Sequence, residues 1–173
     1  MSQALEALYA GDAERARELL PPDDELTVFE AAAFGRLNAL RRILDDDPAD
    51  VNAFSGDGFT ALHLAVFGGR EEAARLLLER GANPNVVSTN EAVRVAPLGT
   101  AAFVRSVPLA RLLLDSGADV NGRGEGGFTA LHSAAQNGDE ELARLLLERG
   151  ADPSLATEDG KRAADSGLED LLS

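Results

Sequence analysis

The chain has 173 residues, enough for one domain, and carries 30 acidic against 16 basic residues for a net charge of −14. So acidic a surface argues against nucleic acid and anionic membrane as partners, because both repel it. The absence of cysteine removes disulfides and thiolate chemistry.

Residues 2–20 read as a short helix pair. Leu5, Leu8 and Tyr9 recur at helical spacing, Gly11-Asp12 interrupts them, and Ala13, Ala16, Leu19 and Leu20 resume the pattern. Ser2 and Asp12 stand where a side-chain oxygen accepts from the free N–H groups of a first turn. Pro21-Pro22 closes the pair. Residues 26–57 repeat the theme, with Val28–Gly35 followed by Leu37–Leu44, whose Leu37, Leu40, Ile43 and Leu44 share one face. Residues 58–93 carry Thr60-Ala61-Leu62-His63, a break at Gly68-Gly69, a helix over Glu71–Arg80, and Gly81, which suits a left-handed position after that helix. In residues 94–126 the same places hold Ala96-Pro97-Leu98-Gly99, so Gly99 replaces the histidine. Arg105-Ser106-Val107-Pro108 fills the break, where Pro108 is tolerated because a first turn has no use for its N–H. Residues 127–159 are the fullest copy. Residues 160–173 are truncated, with Asp165 at the histidine place and a final helix shrunk to Leu168–Leu172.

The copies are in register. Thr60-Ala61-Leu62-His63 matches Thr129-Ala130-Leu131-His132, and Leu76–Leu78 and Leu112–Leu114 match Leu145–Leu147. Gly81-Ala82-Asn83 and Gly117-Ala118-Asp119 match Gly150-Ala151-Asp152, and the spacing is 36 and then 33 residues. A fixed period of this length means stacked units that cannot bury their apolar faces alone. The motif resembles the ankyrin repeat, of a bacterial or archaeal type. That resemblance implies an all-α fold, a solenoid of stacked helix-turn-helix units with short β-hairpin fingers. As a single domain over residues 1–173 it divides into an N-terminal cap (1–25), repeats at 26–57, 58–93, 94–126 and 127–159, and a truncated C-terminal cap (160–173). Caps with polar outer faces at both ends favour a monomer. With only 5% aromatic residues, Ala and Leu must supply the core.

Candidate chemical sites are few. His63 and His132 occupy the same place two units apart, too far for one metal ion, whose ligands lie about 2 Å from it. In ankyrin proteins this histidine resembles a structural residue that ties neighbouring hairpins. Gly122-Arg123-Gly124-Glu125-Gly126-Gly127 matches a dinucleotide fingerprint, yet no long apolar strand precedes it and Glu125 would repel phosphate, so a finger turn is expected. Asp45-Asp46-Asp47 lacks the alternating ligands and turn glycine of a calcium loop and reads as a solvated turn. No cofactor, metal or catalytic constellation is expected, and no enzyme activity. Residues 1–20 lack a basic start and a continuous apolar run, and no stretch approaches the ~20 apolar residues of a membrane span, so the cytoplasm is the expected compartment.

Binding remains. The finger between Gly81 and Ala96 is three residues longer than its counterpart, and Val86-Val87 and Val93-Arg94-Val95 read as two short strands around Ser88-Thr89-Asn90. It is either a neutral insertion, which costs little, or a protruding binding element. The resemblance implies that another protein docks on a concave face made of finger tips and first-helix ends. The candidate partner-binding residues are Tyr9, Phe34, Phe59, Phe67, Arg94, Val95, Phe103, Arg105, Arg123, Phe128, Gln136 and Asn137. Tyr9, Phe34, Phe67 and Phe103 are expected in one row, either as a binding groove or packed against neighbouring repeats. The arginines either grip acidic groups or are solvated surface. A non-enzymatic scaffold is the expected function; the alternative is a small-molecule- or ion-binding regulatory module using the finger at 81–96.

Overall fold

The structure, a computed structural model, describes residues 2–172. Its contacts divide the chain into two compact units, one ending at Asn83 and the other beginning at Pro84. The first unit contains α1 (Gln3–Tyr9), α2 (Ala13–Glu18), α3 (Val28–Ala33), α4 (Leu37–Asp46), a 3-10 turn at Pro48–Asn52, α5 (Ala61–Phe67) and α6 (Glu71–Glu79). The second contains α7 (Pro97–Phe103), α8 (Val107–Asp115), a 3-10 turn at Glu125–Gly127, α9 (Ala130–Gln136), α10 (Glu140–Glu148), a 3-10 turn at Ala163–Ser166 and α11 (Glu169–Leu172). The fold class is all-α, built of repeated helix pairs.

Small side chains let these pairs stack closely. Ala31, Ala32, Ala33, Ala65, Ala73 and Ala74 are fully buried in the first unit, as are Ala101, Ala110 and Ala143 in the second. Leu40, Leu62 and Leu77, and Leu113, Leu131, Leu142 and Leu146, fill the space between them. The tightest approach is at Gly68, where an added Cβ would lie 2.3 Å from the Ala33 carbonyl oxygen. Helices α6, α8 and α10 each end on a left-handed glycine, at Gly81, Gly117 and Gly150, with φ of 92°, 88° and 89°.

The first helices are fixed at their N-termini by one recurring device. The hydroxyls of Thr60 and Thr129 donate to Nδ1 of His63 and His132 at 2.8 and 2.9 Å, and the same nitrogens accept from the Thr60 and Thr129 backbone N–H groups at 3.3 and 3.2 Å. Nδ1 is therefore the acceptor, which leaves the proton on Nε2. His132 Nε2 donates it to the Lys161 carbonyl at 3.1 Å, tying α9 to the finger that follows in the same compact unit. Glu30 does this work in the degenerate repeat, accepting the Thr27 N–H at 3.0 Å and the Thr27 hydroxyl at 2.9 Å. Asp165 does it in the last, accepting the Arg162 N–H at 2.8 Å. That hydrogen bond is the main reason the Asp165 carboxyl is held below its ordinary value.

A second device joins successive loops. The Asn52 side chain donates to the Gly81 carbonyl at 3.1 Å and accepts from the Asn83 N–H at 2.8 Å. Asn85 does the same with Gly117 and Asp119, at 3.0 and 2.7 Å, and Asn121 with Gly150 and Asp152, at 3.2 and 2.8 Å. Ser154 stands at the next such place and turns back onto Asp152 within its own loop.

Two expectations need correction. The fingers are not β-hairpins: among the described residues only two isolated bridges form, Phe54 with Thr60 and Ala156 with Arg162, and Val86–Val95 holds no strand. Asp45 and Asp46 lie in the last turn of α4, not beyond it; Asp45 pairs with Arg80 at 2.6 Å, and Asp47 caps the following 3-10 turn through the Ala49 N–H at 3.0 Å. In the last copy the first-helix place holds a 3-10 turn.

Candidate functional site

The candidate face in the first unit is held by an aromatic cluster. The Tyr9 ring meets Phe67 edge-on at 5.3 Å between centroids and tilts against Phe59 at 6.3 Å. Its hydroxyl donates to Asp57 Oδ2 at 2.8 Å. The opposite oxygen of Asp57 accepts from the Ser55 hydroxyl, so the carboxylate is fixed from within its own finger. Burial first, then the hydrogen bond and charge of Asp57, pushes the Tyr9 phenol far up from its ordinary value, because both disfavour a second negative charge. Phe59 in turn leans edge-on against His63 at 5.8 Å, and Phe128 repeats this against His132 at 5.5 Å.

Counted from the helix caps Thr27, Thr60, Ala96 and Thr129, the seventh place holds Phe34, Phe67, Phe103 and Gln136. Helix α3 ends one residue earlier than the others, so Phe34 is its C-cap rather than its last helical residue. Like Tyr9, it packs against the cluster of Leu5, Ala33 and Leu64.

In the second unit, Phe103 ends α7 with 70% of its surface exposed, the highest of the three exposed large hydrophobics among the described residues; the other two are Phe54 and Val93. Gln136, the next residue at this place, is also exposed. Asn137 is spoken for: its side chain donates to the Ala102 carbonyl at 3.3 Å, as Arg70 Nε does to the Ala33 carbonyl at 3.2 Å. Arg105 occupies the left-handed place that Gly35, Gly69 and Gly138 fill elsewhere, with φ of 57°. Its Nε lies 3.9 Å from Asp139 Oδ2, an ion pair too long for a hydrogen bond. Arg123 donates to the Ala156 carbonyl and so braces the next finger. Arg94 is exposed and makes no ion pair among the described residues.

The long finger is organised by side chains. Buried Ser88 accepts the Val95 N–H at 3.0 Å and donates to the Val93 carbonyl at 2.6 Å, and the Ser88 N–H donates to the Val95 carbonyl at 2.9 Å. Asn90 accepts from the Ala92 and Val93 N–H groups at 2.9 Å each. In the shorter fingers the matching pairs are Ser55 with Phe59 and Thr157 with Lys161, so the three added residues fall between the two ends of this closure. Val95 is partly buried against Gly99, where a Cβ would meet its Cγ2 at 2.6 Å; its side chain takes the space of the missing histidine. The Glu125 N–H donates to the Arg94 carbonyl at 2.7 Å, and an added Cβ on Gly124 would meet that carbonyl at 2.7 Å. The glycine-rich run is therefore packed against a neighbouring finger, with no strand leading into it.

Sequence reasoning missed the asparagine clamps and the Thr27–Glu30 box. The second carried a visible signal, a Thr followed three residues later by Glu ahead of an apolar run.

Family models agree with this architecture. The ankyrin repeats (many copies) model matches residues 28–78, and the ankyrin repeats (3 copies) model matches residues 87–157. The chain belongs to the ankyrin repeat family. It is 40% identical over 102 residues to the B-cell lymphoma 3 protein homolog of Mus musculus, covering 59% of this chain and 22% of that protein. It is 32% identical over 149 residues to the transient receptor potential cation channel subfamily A member 1 of Homo sapiens, covering 80% of this chain and 13% of that one. Against a putative ankyrin repeat-containing protein of Treponema pallidum (strain Nichols) it is 38% identical over 104 residues, or 54% and 34% of the two chains. The chain thus spans about a third or less of the length of these relatives. Ankyrin repeats generally mediate protein–protein interaction. No helix among the described residues is long and apolar enough to cross a membrane.

Proposed function

We propose that this protein is a non-enzymatic scaffold that binds another protein on the face formed by its fingers and first-helix ends, acting as a monomer in the cytoplasm. The observation that carries this reading is Phe103. Its counterpart Phe67 is covered by Tyr9, whereas Phe103 is left 70% exposed at the end of α7. A phenylalanine in water gains by finding an apolar partner, and aromatics are enriched at interface centres. The polar groups of Asn137 and Arg123 are committed to holding repeats together, so they are braces of the fold rather than groups free for chemistry. The alternative, a ligand pocket in the long finger, finds little support, because Ser88 and Asn90 spend their hydrogen bonds closing the loop on itself.

The test is capture of binding proteins from the source cells, quantified by mass spectrometry, with the wild-type chain and Phe103→Ser side by side. An exposed site makes the variant safe for folding. A bound protein depleted at least about tenfold by the variant supports the face, since a central aromatic contributes about 2 kcal/mol or more. Equal recovery rejects it.

A further inference from the structure

The charge of this chain is unevenly placed. From Ala92 to Leu114 there is no aspartate or glutamate, the longest such run in a chain with 30 acidic residues, and it holds Arg94, Arg105 and Arg111. Two of the three exposed large hydrophobics, Val93 and Phe103, lie in the same run. They fall into two adjacent sets, Val93 with Arg94 on the finger and Phe103 with Arg105 at the far end of α7. Seven helical residues at 1.5 Å each make α7 about 10 Å long, and Val95 and Ala96 join it to the finger.

The three arginines are also poorly compensated. Arg75 and Arg144 in the other second helices pair with Glu71 and Glu140 one turn earlier, at 3.2 and 3.4 Å. Arg111 has Val107 at that place and makes no ion pair among the described residues. Arg94 likewise makes none, and Arg105 reaches only Asp139 at 3.9 Å, a carboxylate already engaged as cap of the Leu142 N–H at 3.1 Å. Arg105 is held there at a left-handed φ, for which an arginine costs about 1 kcal/mol relative to the glycine of the other copies. Glu91 and Glu125 border the finger, and neither pairs with Arg94.

We propose that the α7 face takes an acidic peptide segment bearing apolar anchors, with carboxylates meeting Arg94 and Arg105 and apolar side chains covering Val93 and Phe103. This rests on the docking face proposed above and adds the chemistry of its partner. Charge complementarity selects the occupant, because most of this acidic chain repels such a segment while the arginines of this long acid-free run lack the close carboxylate partners of Arg75 and Arg144.

The experiment is selection from a random peptide library displayed on phage, using the full chain, followed by titration of the recovered peptides in solution. The proposal expects peptides rich in Asp and Glu around Leu, Phe or Trp. Arg94→Glu and Arg105→Glu should each weaken them about tenfold or more, while Arg111→Glu, the same charge change on the outer helix α8, should stay within about twofold. Phe103→Ser should also weaken them about tenfold. Binders sensitive to Phe103→Ser but indifferent to Arg94→Glu and Arg105→Glu would overturn the acidic partner and leave the face standing. Basic or uncharged binders, or equal weakening by Arg111→Glu, would overturn it as well. Binders indifferent to all four changes, or no recovered binder, would count against both the face and its partner.

Discussion

Tyr9 is the only tyrosine in a chain without tryptophan, so its signal is unambiguous. Its phenol is raised above the ordinary 10.0 by burial and then by Asp57. A group whose folded pKa is raised contributes stability that is fully present below its unfolded pKa and is lost as pH climbs towards the folded one. The sensitive window is therefore alkaline, opening near pH 10. Full linkage would remove about 1.4 kcal/mol per pH unit. The ring is only partly buried, so about 1 kcal/mol per unit is the working figure. Titration of tyrosinate absorbance should show the folded protein lagging behind the urea-unfolded chain across this window, while the urea midpoint falls. Tyr9→Phe keeps the ring contacts with Phe59 and Phe67 and removes the bond to Asp57. Because Asp57 retains the Ser55 hydroxyl, no acceptor is orphaned, and the cost at neutral pH should be about 1 kcal/mol. The variant should also lose this part of the alkaline destabilisation. Tyrosinate forming at one midpoint in folded and unfolded chains, with helicity intact, refutes the reasoning.

Other expectations follow from single contacts. Asn121→Ala removes a donor to Gly150 and an acceptor for Asp152, and should lower stability in urea by about 1–2 kcal/mol. Gly68→Ala places a methyl 2.3 Å from the Ala33 carbonyl and should cost about 2 kcal/mol or more, read from the thermal midpoint. Arg105→Gly relieves the left-handed strain and gives up only a long ion pair, so the same scan should show a gain of up to about 1 kcal/mol.

Much of the fold was legible because it is carried by repetition. The Thr-x-x-His boxes, the Leu-Leu-Leu helices and the left-handed glycines each recur at fixed spacing, so one copy explains the others. What escaped depended on single residues or on contacts distant in sequence. The one-residue shortening of α3 puts Phe34 at the C-cap instead of the last helical place, because a deletion shifts a helix end without changing composition. The valines around Ser88 read as strands by propensity, but Ser88 and Asn90 take the backbone groups that a ladder would need. Tyr9 reaches Asp57 across 48 residues, a pairing that periodicity does not show. Of the candidate site, the sequence left open whether Phe103 is exposed or packed, because its place in the repeat is also that of the covered Phe67, and the structural employment of Asn137 and Arg123 was hidden because both are polar residues at surface positions.

The most direct test of the docking face is amide hydrogen exchange on the full chain with and without a protein captured in a Phe103-dependent way. Binding on the proposed face predicts slowed exchange in the finger at 88–95 and in α7, with α8 unchanged. Protection confined to α8 and α10, with α7 and the finger untouched, would contradict it.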